Sequence, residues 1–139
     1  VIIVVGGNAR HVGKTTLICA ILHAFPGIPW QVLKVTPHEH LPENGGDTTR
    51  FLSAGATTAV LRSPNHLPAL DTGHWIVESN RILDVVKADA YIFLRAEAPP
   101  DEKPQARWHL DKADVILQNW APTPQLPDAV RQLISSLLR

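Results

Sequence analysis

The chain is poor in several features that mark whole classes of protein. It has one cysteine, Cys19, in 139 residues. An internal disulfide is therefore excluded, and a reducing compartment fits best. Cys19 falls inside a helical pattern, so a packed thiol is expected there rather than a reactive one. No apolar run approaches the roughly 20 residues that span a bilayer. The run Val1–Val5 is too short for a signal-peptide core and has no basic flank. A cytoplasmic location is the expectation. Excess charge is missing as well: Lys+Arg and Asp+Glu both number 13, so no field draws the chain to nucleic acid or to a membrane surface. Methionine is absent and the first residue is Val, which points to a missing initiator and a short leader. No repeat or low-complexity tract is found. The length suits a single domain, 1–139, able to bury a core.

What is present is an alternation of short apolar runs with helical patterns. Val1–Gly6 reads as a buried strand, continuous rather than alternating, as central parallel strands are. Lys14–Phe25 reads as a helix stopped by Pro26-Gly27, with Leu17, Ile18, Ile21, Leu22 and Phe25 on one side. Strands are expected over Trp30–Thr36, Thr57–Arg62, His74–Ser79, Ala90–Leu94 and Asp114–Gln118. Helices are expected over Asp47–Ala54, Arg81–Lys87, Gln105–Lys112 and Pro127–Leu138. Most of the twelve prolines fall in the connections. The pattern predicts an α/β sandwich, a mostly parallel sheet flanked by helices and joined by right-handed crossovers. Ligands of such folds bind beyond the carboxyl ends of the strands. That rule singles out 7–16, 37–47, 79–80, 95–104 and 119–123 as the working rim.

The first rim segment is Gly6-Gly7-Asn8-Ala9-Arg10-His11-Val12-Gly13-Lys14-Thr15-Thr16. Strand, glycine-bearing loop, Lys-Thr, helix is the layout of a phosphate-binding P-loop. Backbone N–H groups of the loop and of the helix start wrap phosphates, and the helix dipole favours negative charge there. The predicted nucleotide-binding residues are Gly7, Asn8, Arg10, His11, Val12, Gly13, Lys14, Thr15 and Thr16. Lys14 would reach the outer phosphates as a point charge. The Thr15 hydroxyl would hold Mg²⁺, which prefers hard oxygen ligands. The spacing is one residue off the common frame: Asn8 stands five residues before Gly13, and Gly7 lies one further out. Either Asn8 makes the turn itself, using the tolerance of Asn for positive φ, or the loop is one residue longer.

Further chemistry lines the same rim. Glu78 ends the strand His74–Ser79, where a carboxylate can bind Mg²⁺ or polarise an attacking water. Asp47 follows Gly45-Gly46 and is read both as a helix N-cap and as a Mg²⁺ ligand. Lys34 lies in an apolar strand, where burial requires a partner; Asp47, Glu78 or a phosphate would serve, or the ammonium reaches water. Asn119 ends the last strand, where a base-recognising side chain would sit. The Asn-Lys-x-Asp guanine signature is absent, so GTP and ATP both stay open. His38-Glu39-His40 has donors suited to Zn²⁺ or Ni²⁺, yet a short polar loop is more often solvated than metallated. Arg50 and Arg62 are phosphate partners or surface charges. Lys103 and Trp108 would touch a base or a substrate, or Trp108 packs in its helix.

With these residues placed, the chain resembles the MobB family of GTP-binding proteins from molybdopterin-guanine dinucleotide biosynthesis. The likeness rests on Gly13-Lys14-Thr15-Thr16-Leu17, on Leu33-Lys34-Val35-Thr36-Pro37-His38, on Gly46 through Ala56 with its Arg50 and Ala54-Gly55-Ala56, and on Val77-Glu78. The motifs keep the family's order over roughly the first 80 residues. The loop spacing and Val12 look more like dethiobiotin synthetase, a P-loop enzyme of the same broad class. The resemblance implies a three-layer P-loop NTPase fold that binds GTP or ATP with Mg²⁺ and hydrolyses it slowly, with Lys14 and Glu78 as catalytic residues and Thr15, Asp47 and Glu78 at the metal. It also implies a homodimer and a molybdopterin guanylyltransferase as partner. Two alternatives accompany it: an ATP-dependent synthetase or kinase of the dethiobiotin type, and a metal-insertion GTPase using His38 and His40.

Overall fold

The computed structural model describes residues 1–8, 13–36, 46–97 and 109–139. Its frame is a six-stranded sheet in which every pairing is parallel. In chain order the elements are β1 (Ile2–Gly7), α1 (Lys14–Ala24), β2 (Trp30–Val35), α2 (Gly46–Ser53), β3 (Thr58–Arg62), β4 (His74–Glu78), β5 (Ala90–Arg95), β6 (Val115–Gln118) and α3 (Asp128–Leu137). The strands lie side by side as β3-β2-β4-β1-β5-β6. β1 is central, which explains why its side chains form a continuous apolar run: a strand covered on both faces has no polar side. Ile3, Val4 and Val5 are fully buried. The α/β class expected from the sequence is the class observed.

Strand side chains alternate between the two faces. Ile3, Val5, Trp30, Val32, Ile76, Ala90, Ile92 and Leu94 share one core with Leu17, Ile18 and Ile21 of α1, Phe51 of α2, and Val130 and Ile134 of α3. All three α-helices thus cover the same face. On the other face, Val4, Leu33, Trp75, Val77, Tyr91 and Phe93 are packed by Leu67, Leu70, Ile82, Leu83 and Leu110. Among the described residues, that layer is built from connections and 3₁₀ turns, Pro64–His66, Ile82–Asp84 and Leu110–Lys112, rather than from α-helices.

Two expected helices are corrected here. Arg81–Lys87 is only the single 3₁₀ turn Ile82–Asp84. The Ser79 hydroxyl accepts from the backbone N–H of Arg81 and Ile82, both at 3.1 Å, and so starts the turn. Val85 and Val86 then follow, and β-branched residues extend a helix poorly. Ile82 and Leu83 are both buried, so one turn is enough to cover the sheet. The helix Gln105–Lys112 falls partly outside the described residues; its described end is the 3₁₀ turn Leu110–Lys112, preceded by His109 at φ 52°. A left-handed residue there ends any helix arriving from upstream. A smaller shift concerns β1. It runs through Gly7, one residue further than expected, and this changes the reading of the loop that follows. No helix among the described residues is long and apolar enough to cross a membrane.

Ile21 of α1 is fully buried in the helix-side core, whereas Val85 is 71% exposed. Ile21→Ala is expected to cost about 2–5 kcal/mol of unfolding free energy through lost transfer energy and a residual cavity. Val85→Ala should stay within about 0.5 kcal/mol of wild type. Urea denaturation followed by circular dichroism measures both.

Candidate functional site

The carboxyl edge of the sheet brings four separated side chains into one cluster. The strand period sets it up. Trp30, Val32 and Lys34 alternate onto the helix-covered face of β2, as Ile76 and Glu78 do on β4. The parallel register then sets Lys34 directly beside Glu78. Thr15, the second residue of α1, drops its hydroxyl onto this pair, and Asp47, the second residue of α2, closes it.

The distances describe one connected network. Thr15 Oγ1 donates to Glu78 Oε1 at 3.3 Å. The Lys34 ammonium is hydrogen-bonded to Asp47 Oδ2 and lies 3.4 Å from Glu78 Oε2. Glu78 is the most enclosed of the three charged groups, its side chain only 7% exposed, against 29% for Lys34 and 30% for Asp47. Burial by itself would raise the pKa of Asp47. The hydrogen bond and charge of Lys34, then the Thr15 hydroxyl and the Arg50 charge, outweigh it and hold the carboxyl below its ordinary value. For Lys34 burial pulls the other way, yet the Asp47 hydrogen bond and the charges of Glu78 and Asp47 leave its pKa raised. The lysine in an apolar strand has thus found both of the acids named for it from sequence.

Of the glycine-bearing segment, Gly13, Lys14 and Thr16 lie at the start of α1, next to Thr15. Gly13 has φ 98° and ψ 18° and heads α1, its carbonyl accepting from Leu17 N at 2.8 Å. A Cβ at that position would lie 2.8 Å from Pro122 Cγ and 3.0 Å from the Trp120 ring. Both the left-handed backbone and the crowding therefore require glycine. Lys14 opens the helix, and α1 has no acidic residue of its own in the first turn; the carboxylate at this helix start is Glu78, brought there by the sheet. Thr16 is half-buried beside Thr15. Arg10, His11 and Val12 lie outside the described residues, as do His38, His40, Lys103 and Trp108.

The two residues at the head of the loop do something other than expected. Gly7 belongs to β1, and its N–H donates to Asn80 Oδ1 at 2.8 Å. Asn8 is 1% exposed, and its side chain is bonded both ways to Ala96: Oδ1 accepts from Ala96 N at 2.8 Å, and Nδ2 donates to Ala96 O at 2.9 Å. Asn8 is not among the positive-φ residues, so it does not make a left-handed turn. With Gly7 in the sheet, the loop proper runs from Asn8 to Gly13, and no extra residue has to be accommodated. Asn119 adopts φ 50°, and its Oδ1 accepts from Glu97 N at 2.9 Å, which ties the end of β6 to the end of β5. Its neighbour Trp120 is the residue packed against Gly13.

The sequence placed 79–80 on the rim but gave Asn80 no role, and Ser79 and Asn80 turn out to do different things. Only the Ser79 half is a cap. Gly6 explains how Asn80 reaches β1: a Cβ on Gly6 would fall 2.8 Å from Asn80 Oδ1 and 2.9 Å from the Tyr91 hydroxyl. The Gly6-Gly7 pair is the one signal in the sequence that another group approaches β1 closely. Arg50 adds its charge near Asp47 from α2. The Arg62 guanidinium donates to the Leu61 carbonyl at 2.9 Å. Cys19 is half-buried, and burial raises its pKa, so the thiol stays protonated near neutrality.

A hydroxyl and two carboxylates are hard oxygen donors, and they suit Mg²⁺ rather than a softer metal. Among the described residues no group of three or more His, Cys, Asp and Glu is close enough to form a metal cage. Any Mg²⁺ held by this donor set would have to keep several of its waters.

Two predictions follow the geometry. Asn80→Ala removes the acceptor of a part-buried N–H and should cost about 1–3 kcal/mol in urea denaturation. Asp47 is held below its usual 3.8 when folded. Its contribution to stability is therefore present above that pH and lost as pH falls through the lowered folded value. The stability difference between wild type and Asp47→Asn should be largest above pH 3.8 and shrink steadily below it, as denaturation across pH 2–6 would record. Set beside known proteins, the chain matches no family model, no curated protein and no solved structure.

Proposed function

We propose that this chain is a P-loop nucleotide-binding protein that holds GTP or ATP with Mg²⁺ and hydrolyses it slowly. The observation that carries the reading is the Thr15–Glu78–Lys34–Asp47 cluster at the carboxyl edge of the sheet, directly beneath the start of α1. A glycine with φ 98°, then Lys14 and Thr15, lead into a helix whose first turn carries no acid. Phosphate binding at such a helix start follows from the orphan N–H groups and the dipole.

The residues divide the work by their chemistry. Lys14 neutralises charge on the outer phosphates. Gly13 lets the backbone come close to them. Thr15, Asp47 and Glu78 would hold Mg²⁺, which supplies charge neutralisation across the phosphates. Glu78, nearly enclosed and fixed by Thr15, can also orient a water for attack on the terminal phosphorus. Asn119, just beyond β6, is the residue this reading assigns to the base. Slow hydrolysis is what the resemblance to MobB implies. The order of motifs over the first part of the chain supports a MobB-like role, accessory to molybdopterin guanine dinucleotide formation, with a second copy of the chain and a molybdopterin guanylyltransferase as partners.

Isothermal titration of the full chain with GTP and with ATP, each with and without Mg²⁺, tests this. Wild type should bind at least one nucleotide in a Mg²⁺-dependent way, and Lys14→Ala should weaken that binding at least tenfold. Glu78→Gln should mainly reduce the Mg²⁺ dependence. Binding of neither nucleotide by wild type would sink the proposal. ADP release that depends on an added carboxylate or amine would replace it with a small-molecule synthetase.

A further inference from the structure

We infer that Lys34 is a resident counter-ion: its ammonium occupies the Thr15–Asp47–Glu78 site and keeps a divalent cation out until a phosphate-bearing ligand arrives to take the lysine over. The inference rests on the reading of those three residues as Mg²⁺ ligands and adds how their occupancy is controlled.

The geometry singles out Lys34. Its ammonium is hydrogen-bonded to Asp47 and sits 3.4 Å from Glu78 Oε2, so one monovalent cation is shared by both carboxylates that the metal would need. It arrives there by register, as the neighbour of Glu78 across the β2–β4 pairing, and not by the chance sweep of a long surface side chain. The site is only partly open to water: the Lys34 and Asp47 side chains are 29% and 30% exposed and Glu78 is 7% exposed. Two carboxylates held this close require a cation, and Lys34 already meets that requirement.

A divalent ion entering the same space meets an ammonium in a region where water screens poorly. The two cations repel, so the metal must push the ammonium off Asp47 and Glu78. The displaced ammonium is then left half-buried with no anion, unless one is supplied. A triphosphate at the start of α1 supplies it. Metal and nucleotide are then positively coupled, and by linkage each raises the affinity of the other by the same factor. Without the lysine charge, the carboxylates lose their resident cation and accept a metal on their own.

Mn²⁺ alone, titrated into the full chain without nucleotide and followed by electron paramagnetic resonance of the free ion, tests this. Lys34→Met and Lys34→Gln should bind Mn²⁺ at least tenfold more tightly than wild type, and Lys34→Arg should behave as wild type. Adding Glu78→Gln to Lys34→Met should abolish the gain, which ties it to this site. Gln is included because it keeps a hydrogen bond to the carboxylates and so protects the fold where Met does not. Tight Mn²⁺ binding by wild type without nucleotide, equal to that of the neutral variants, overturns the inference. A merely structural ion pair would lower stability in these variants and leave Mn²⁺ affinity unmoved. Nucleotide binding by wild type, measured separately, distinguishes the cases: equal Mn²⁺ affinities in a chain that binds nucleotide remove only the role of Lys34, whereas failure to bind nucleotide removes the broader reading.

Discussion

The rim of this protein is organised around one shared cation. Lys34 stands between Asp47 and Glu78, and the position of each acid depends on it. Glu78 is almost enclosed, and an enclosed carboxylate without a partner is expensive. Asp47 begins a helix that follows a long connection, and its bond to Lys34 fixes that helix start to the sheet. Remove the ammonium and two like charges face each other in a half-buried space, which is why breaking such a pair costs more than the pair itself contributes. The same network takes in the Thr15 hydroxyl, which adds a polar contact between α1 and β4 to the apolar packing of Leu17, Ile18 and Ile21.

A second constraint is the supply of acceptors at the carboxyl edge of the parallel sheet. Strands that end together leave backbone N–H groups without ladder partners. Three asparagines supply what is missing, each through its side-chain oxygen: Asn80 to Gly7, Asn8 to Ala96 and Asn119 to Glu97. They pin the end of β1 from both sides and tie β6 to β5.

The sheet is covered unequally. α1, α2 and α3 all pack on the face that carries Lys34 and Glu78, and the opposite face is closed by connections and 3₁₀ turns among the described residues. The charged cluster thus lies on the side stiffened by helices. Rigid elements hold a constellation more accurately than loops do, and here two of its four members come from strands and two from the first turns of helices.

Much of this could be read before any fold was known. The alternation of strands and helices, the glycine–lysine–threonine turn into α1, and the acids at the ends of apolar runs are local patterns, and local patterns survive in a sequence. That Lys34 would pair with an acid or a phosphate, or else carry its ammonium to water, followed from the cost of burying a charge in an apolar strand. What the chain could not express is register. Whether Lys34 meets Glu78 depends on β2 lying beside β4 in a single alignment, and a shift of one residue would turn both side chains to the other face. The helix expected over Arg81–Lys87 failed for a similar reason, since the Ser79 hydroxyl and the room available above the sheet outweigh local preference. The role of Asn80 and the true end of β1 were hidden too, because a hydrogen bond spanning 73 residues leaves no mark on its neighbours in the chain. The sequence by itself determined the residue types of the site, because their chemistry is intrinsic. The tertiary structure decided which of them share a cation, because that depends on which strands lie side by side.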